Sequence, residues 1–246
     1  MSKPKTTRQP NASARQEVFL PSRDKSLVAS SGFLTRNGAE GEGNLQRFPP
    51  VKFYHIAEPA NLASIKLHGL LSAERLVRRT SRSAMRTGAI LSGHRAEPLF
   101  LRDGVVIRDQ KPMPPNLLAP VLRDGMTPSD WYRLLNGFVF LWASEERVNR
   151  HLSAFKGKQQ VVLTFDARRL LTDLGHRISL SPINSGNARR NAVPRSQALF
   201  TPYRDWLRKG WPIIGSQQRP RSSLPAEVVV EHHLPLNPYL IDEYLQ

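Results

Sequence analysis

The sequence predicts an α+β fold, and three observations point to it. Short runs of β-forming residues recur along the chain: "VKFYHI" at 51–56, "FVFLW" at 138–142, "QVVLTF" at 160–165 and "AEVVVEHHLP" at 226–235. Short helical segments lie between them without the regular alternation of a doubly wound sheet. The 20 prolines and 15 glycines in 246 residues imply many turns. A chain of this length can bury a proper core. We read residues 1–47 as a basic, largely disordered extension, and 48–246 as one domain with short helices and long basic loops.

Within the extension, only "QEVFLPS" (16–22) offers a short strand. After the strand at 51–56, the segment Ala60 to His68 puts Leu62 and Ile65 on one helix face. Gly69 stops that helix, because glycine alone enters the left-handed region without steric cost. Residues 74–97 are strongly basic and weakly periodic, which predicts a broken helix or a loop. "DGMTPSDWYRLLNG" carries its own boundaries: Thr127 as cap, Pro128 at the first helical position, Asp130 three residues after the cap, and Asn136-Gly137 as stop. Ser144 heads a helix with Val148, Leu152 and Phe155 on one face. Asp166 caps "ARRLLTDL". From 180 to 226 eight Arg or Lys face one acid, Asp205, amid Asn, Gly, Ser and Pro, which predicts loop.

Composition narrows the function. The chain has 36 Lys+Arg against 20 Asp+Glu, a net charge of +16. Such an excess draws polyanions, most often nucleic acid. Without cysteine there is no disulfide, thiolate nucleophile or Cys-ligated zinc, which fits a reducing cytoplasm. The longest apolar runs are too short to span a bilayer, and the N-terminus lacks the apolar core of a secretory signal. We expect no membrane partner. No metal site is expected, since His232-His233 point to opposite faces of a strand and no other cluster has ligand spacing. P-loop, GxSxG and GxGxxG signatures are absent from the sequence.

Taken singly, the chemical candidates have ordinary readings. His55 is a half-buried strand histidine, and Arg108 is one arginine among many with Asp109 beside it. Strand alternation puts Glu227, Val229 and Glu231 on one side, and either acid can be an edge charge. Phe140 and Trp142 read as core or as a stacking platform. "SPINSGNARR" (181–190) is either a solvated loop or a contact through Asn184, Arg189 and Arg190.

Together, "FYHIAEPANLASIKLHGLLS" (53–72) resembles the first motif of ADP-ribosyltransferases, most closely the DarT type that modifies single-stranded DNA. "VIRDQKPMP", "VFLWASEERVNRHL" and "LSPINSGNARR" resemble a bacterial group carrying the same start. The resemblance implies an ADP-ribosyltransferase-like mixed sheet core, NAD as co-substrate, and a transferase that modifies DNA or RNA. It further implies a toxin, defence factor or effector, cytoplasmic or translocated. By position, His55 would bind a ribose hydroxyl, with Tyr54 beside it. The Ile56 and Ala57 backbone and Leu71 would lie near the nicotinamide, with Phe140 and Asn184 lining the site. Arg108 would meet phosphates, Arg189 and Arg190 would meet the acceptor, and Glu227 in "PAEVVVEHHLP" would be catalytic. NAD hydrolysis, or nucleic-acid binding by a decayed site, are the rival expectations.

Overall fold

Strand β1 (Lys52–Ala57) buries both faces: Phe53 and Ala57 on one, Tyr54 and Ile56 on the other. That double burial requires an interior strand covered on both sides. The computed structural model describes residues 51–154, 157–189, 193–213 and 219–246, all within the unit Glu40–Gln246. The extension at 1–47, its strand candidate at 16–22, and Phe155 lie outside the described residues.

After a 3-10 turn, helix α1 (Leu62–His68) ends at Gly69, whose φ is 71°. A Cβ at that position would meet the Leu234 carbonyl oxygen at 2.6 Å, so glycine is needed for close approach as well as for φ. The two-residue strand β2 (Leu70–Leu71) follows. The basic segment then forms a broken helix: α2 (Ala73–Thr80) and α3 (Ala84–Ser92), each opened by a serine hydroxyl that accepts a backbone N–H. Strands β3 (Leu99–Phe100) and β4 (Val106–Ile107) pair as a small hairpin, and α4 (Pro115–Leu118) is a single turn.

Helix α5 (Pro128–Asn136) has the expected reciprocal cap between Thr127 and Asp130. Strand β5 (Phe138–Trp142), helix α6 (Glu145–Ala154) and strand β6 (Val161–Asp166) come next. The Asp166 side chain caps α7 (Ala167–Leu174) by accepting the Arg169 amide. Strand β7 (Ile178–Ser181), strand β8 (Thr201–Pro202), helix α8 (Tyr203–Lys209), strand β9 (Glu227–Glu231), strand β10 (His233–Leu234) and strand β11 (Leu240–Leu245) complete the fold.

Seven strands form one sheet in the order β11-β6-β1-β5-β9-β7-β8. The expected mixed sheet is corrected here, since every registered pairing in it is antiparallel. Each strand enters from the end opposite to its neighbour, so no parallel crossover unit arises. One face carries the larger core, including Phe53, Leu141, Leu163, Phe165, Val228 and Val230. The other holds Tyr54, Ile56 and Val162 with Trp142 beneath α6, and Val229 with Phe138 and Phe140 beside α5.

Within 180–226, read as loop, the described residues include strand β8 and helix α8. Trp206 and Trp211 are buried in the larger core at 5.8 Å between ring centroids, and so are unavailable for stacking on a base. The sequence reading took 226–235 as one strand and as the last. β9 breaks at His232, whose φ is 60°, and β11 adds an edge strand with mostly exposed side chains.

Gly69→Ala should destabilise the protein by about 1–3 kcal/mol, from the positive φ and the Leu234 approach together. Urea unfolding midpoints of the two proteins measure this.

Candidate active site

Glu227 opens β9, an interior strand. Its cross-strand neighbours are Trp142 on β5 and Ser181 on β7, and Trp142 in turn pairs with Tyr54 on β1. Paired residues in an antiparallel ladder project to the same face. Tyr54, Trp142, Glu227 and Ser181 therefore make one lateral row. Two strand spacings separate Tyr54 from Glu227, roughly 10 Å.

The Glu227 carboxyl is only 5% exposed. Its Oε2 accepts the Ser185 backbone N–H at 3.0 Å. Burial pushes its pKa up to about 7, against the opposing pull of Ser185 and of the Arg147 and Arg195 charges. The Ser185 amide is held there by a loop stapled at its far end. The buried Arg195 donates to the Asn187 carbonyl at 2.7 Å and to the Val193 carbonyl at 2.8 Å. Its backbone hydrogen-bonds Val121 and Arg123.

His55 lies on the neighbouring interior strand but alternates with Phe53 and Ala57, so by position it belongs to the face opposite Glu227. The β1–β5 ladder is reduced to the single Tyr54–Trp142 pair. Beyond it the His55 ring crosses between the strands, and Nδ1 lies 2.8 Å from the Phe140 carbonyl oxygen. A carbonyl accepts, so Nδ1 carries the proton and Nε2 is left as an acceptor. Burial, and secondarily the nearby Arg108 charge, lower its pKa to about 4, and the Phe140 bond opposes them. The ring is thus neutral at pH 7. Nε2 has no hydrogen-bond partner among the described residues.

Arg108 stands at the end of this gap. Its Nε donates to Glu58 at 2.9 Å, and its two terminal nitrogens meet His151 Nε2 at 2.9 Å and the Gln160 side-chain oxygen. The ordinary reading of Arg108 was an ion pair with Asp109 or another acid; the acid is Glu58, fifty residues away. Burial lowers the Arg108 pKa while Glu58 and Asp109 raise it. His151, on α6, also faces Trp142 with 5.9 Å between ring centroids, and burial with the Arg108 charge lowers its pKa to about 4.

The remaining sequence candidates divide. Ile56 and Ala57 have buried side chains and ladder partners on β6, but no registered partner on the β5 side. Phe140 is half-buried against Phe138, with which it makes an edge contact at 6.3 Å. Asn184 is half-buried beside Ser185, in the loop over Glu227. Leu71 lies apart, paired with His233 six residues beyond Glu227 along the chain. Arg189 is exposed, its amide taken by the Asn187 side chain, and Arg190 lies outside the described residues. Glu231 is exposed at the far end of β9.

Sequence reasoning missed Ser185, Arg147, Arg195 and His151. No spacing signals a backbone amide or an arginine made relevant by a contact distant in sequence.

The geometry defines an antiparallel α+β protein with a buried carboxyl one strand away from a seam in its sheet. Residues 51–238 match the family described as "Family of unknown function (DUF7002)", and the chain belongs to that family. No curated protein matches the chain. Among the described residues, no helix is long and apolar enough to cross a membrane, and no group of three or more His, Asp or Glu side chains is placed to hold a metal ion.

The raised Glu227 pKa carries a stability consequence with a definite sign. Between pH 4.5 and about 7 the folded carboxyl keeps a proton that the unfolded chain loses, so stability falls as pH rises through that window. Glu227→Gln should therefore stabilise the fold at pH 8 by up to about 3 kcal/mol and change it little at pH 5. Paired melting curves at the two pH values check this.

Proposed function

We propose that the chain is an NAD-dependent ADP-ribosyltransferase that modifies nucleic acid, with Glu227 as its catalytic residue. The observation that carries this reading is the Glu227 carboxyl, buried on an interior strand one position across from Trp142 and about two strands from His55.

The residues fit the chemistry of an adenine dinucleotide. Neutral His55 offers Nε2 as an acceptor, which suits a ribose hydroxyl. The Ile56–Ala57 backbone, unpaired toward β5, suits the amide of a nicotinamide. Trp142, half-buried between Tyr54 and Glu227, offers an indole face. Arg108, bound to Glu58, acts in this reading chiefly by holding the ends of β1 and β6 and the His151 ring around the seam.

Breaking the ribosyl–nicotinamide bond builds positive charge on the sugar. Ionised Glu227 stabilises that charge in a water-poor setting and takes the proton from the attacking acceptor. A pKa of about 7 makes it a usable base at neutral pH, and the Ser185 amide fixes its orientation. For the acceptor, α2, α3 and the link between them present exposed Arg75, Arg78, Arg79, Arg82 and Arg86, of which Arg78 is ion-paired to Glu74. Guanidinium forks suit phosphate backbones.

Labelled NAD incubated with DNA or RNA should give label on the nucleic acid. Glu227→Gln should lower the rate by about 10²–10⁴-fold. The wild-type rate should rise with pH through about 7, as Glu227 ionises. Equal rates for both proteins would overturn the reading. Free nicotinamide with no labelled acceptor would instead favour hydrolysis, with water as acceptor.

A further inference from the structure

Two arginines that the sequence did not single out flank Glu227, and their setting calls for an anion. Arg147 sits in the first turn of α6, which begins three residues after Trp142, the partner of Glu227 on one side. Ser181 is the partner on the other side, and the next carbonyl, that of Pro182, accepts an N–H of Arg219. Both arginines are half-buried. The Arg147 guanidinium has no hydrogen-bond or ion-pair partner among the described residues, and that of Arg219 has only the Pro182 carbonyl.

Nothing in the fold explains Arg147 where it stands. A cation in the first turn of a helix opposes the helix dipole. Half-burying an unpaired guanidinium costs further desolvation. Glu146, the acid beside it, is ion-paired with Arg150. The neighbouring Arg150 and Arg219 charges, after burial, lower the Arg147 pKa, and Glu227 and Glu146 only oppose this. Arg195 adds another buried guanidinium near the same carboxyl. The Arg147 and Arg195 charges thus both act on the Glu227 carboxyl, and the Arg219 charge acts on Arg147.

We propose that Arg147 and Arg219 form a phosphate-binding site at the edge of the Glu227 pocket, taking the diphosphate of a dinucleotide or a phosphate of a nucleic-acid strand. This assigns the anion contact to α6 and the 219 segment rather than to Arg108, whose guanidinium is already bound to Glu58, Gln160 and His151. It deepens the transferase reading where the dinucleotide is the source, but the site itself stands on the arginines. The free forks of Arg147 can grip phosphate oxygens bidentately.

The test is calorimetric titration of the full chain with inorganic pyrophosphate, ADP-ribose and a short single-stranded oligonucleotide at one fixed salt concentration. Arg147→Ala, Arg147→Met and Arg219→Ala should each weaken pyrophosphate binding by roughly tenfold or more, and Arg168→Ala, at an exposed arginine of α7, should not. Melting curves identify any variant that has lost its fold, and the second Arg147 variant stands in for it. ADP-ribose displacing pyrophosphate marks the dinucleotide as the source. Displacement by the oligonucleotide alone marks the strand. Unchanged pyrophosphate affinity in the Arg147 variants, or an equal loss in Arg168→Ala, overturns the site. Pyrophosphate binding through Arg147 without any nicotinamide release from NAD keeps the site and overturns the transferase. Glu227-dependent nicotinamide release with an unchanged KM in Arg147→Ala does the reverse.

Discussion

The structure turns on one carboxyl kept out of water. Glu227 occupies a position in the middle of the sheet that an apolar residue would fill at lower cost, as Val228, Val229 and Val230 do immediately after it. A buried carboxylate costs several kcal/mol unless it is neutralised or hydrogen-bonded. The protein uses both devices. The carboxyl keeps its proton up to about pH 7, and the Ser185 amide donates to it. The loop carrying that amide is pinned by Arg195, and the strands beside it end in Trp142 and Ser181.

A second constraint is the seam between β1 and β5. An interior strand normally pairs along its length, yet these two share one registered pair. His55 fills part of the lost ladder with its ring, and Arg108 ties the end of β1 to Gln160 at the start of β6 and to His151 on α6. His55 and Glu227 project from opposite faces, and the seam lies between their strands. That is why the Tyr54–Trp142 pair matters: it fixes the lateral spacing across which a ligand would have to lie.

Much of this was legible in the sequence where the physics is local. The valine runs of β6 and β9 read as strands, the Thr127–Asp130 cap read from its spacing, and Gly69 read as a stop. Glu227 and His55 stood out through a motif resemblance. What escaped was set by partners distant in the chain. Arg108 found Glu58 rather than its neighbour Asp109. Trp206 and Trp211 lie in a polar, turn-rich stretch yet pack into the core. β11 was missed because an edge strand with exposed Ile241, Asp242, Tyr244 and Leu245 has no clean alternation. Arg147 looked like any other helix arginine until its neighbours were known.

The most direct measurement is the ionisation of Glu227 itself, followed by NMR of the labelled glutamate side-chain carboxyl carbon and assigned by comparison with Glu227→Gln. The account predicts one glutamate titrating near pH 7 that is absent from the variant. If every glutamate instead titrates near the ordinary value of about 4.3, the carboxyl is not shielded from water and the catalytic account fails.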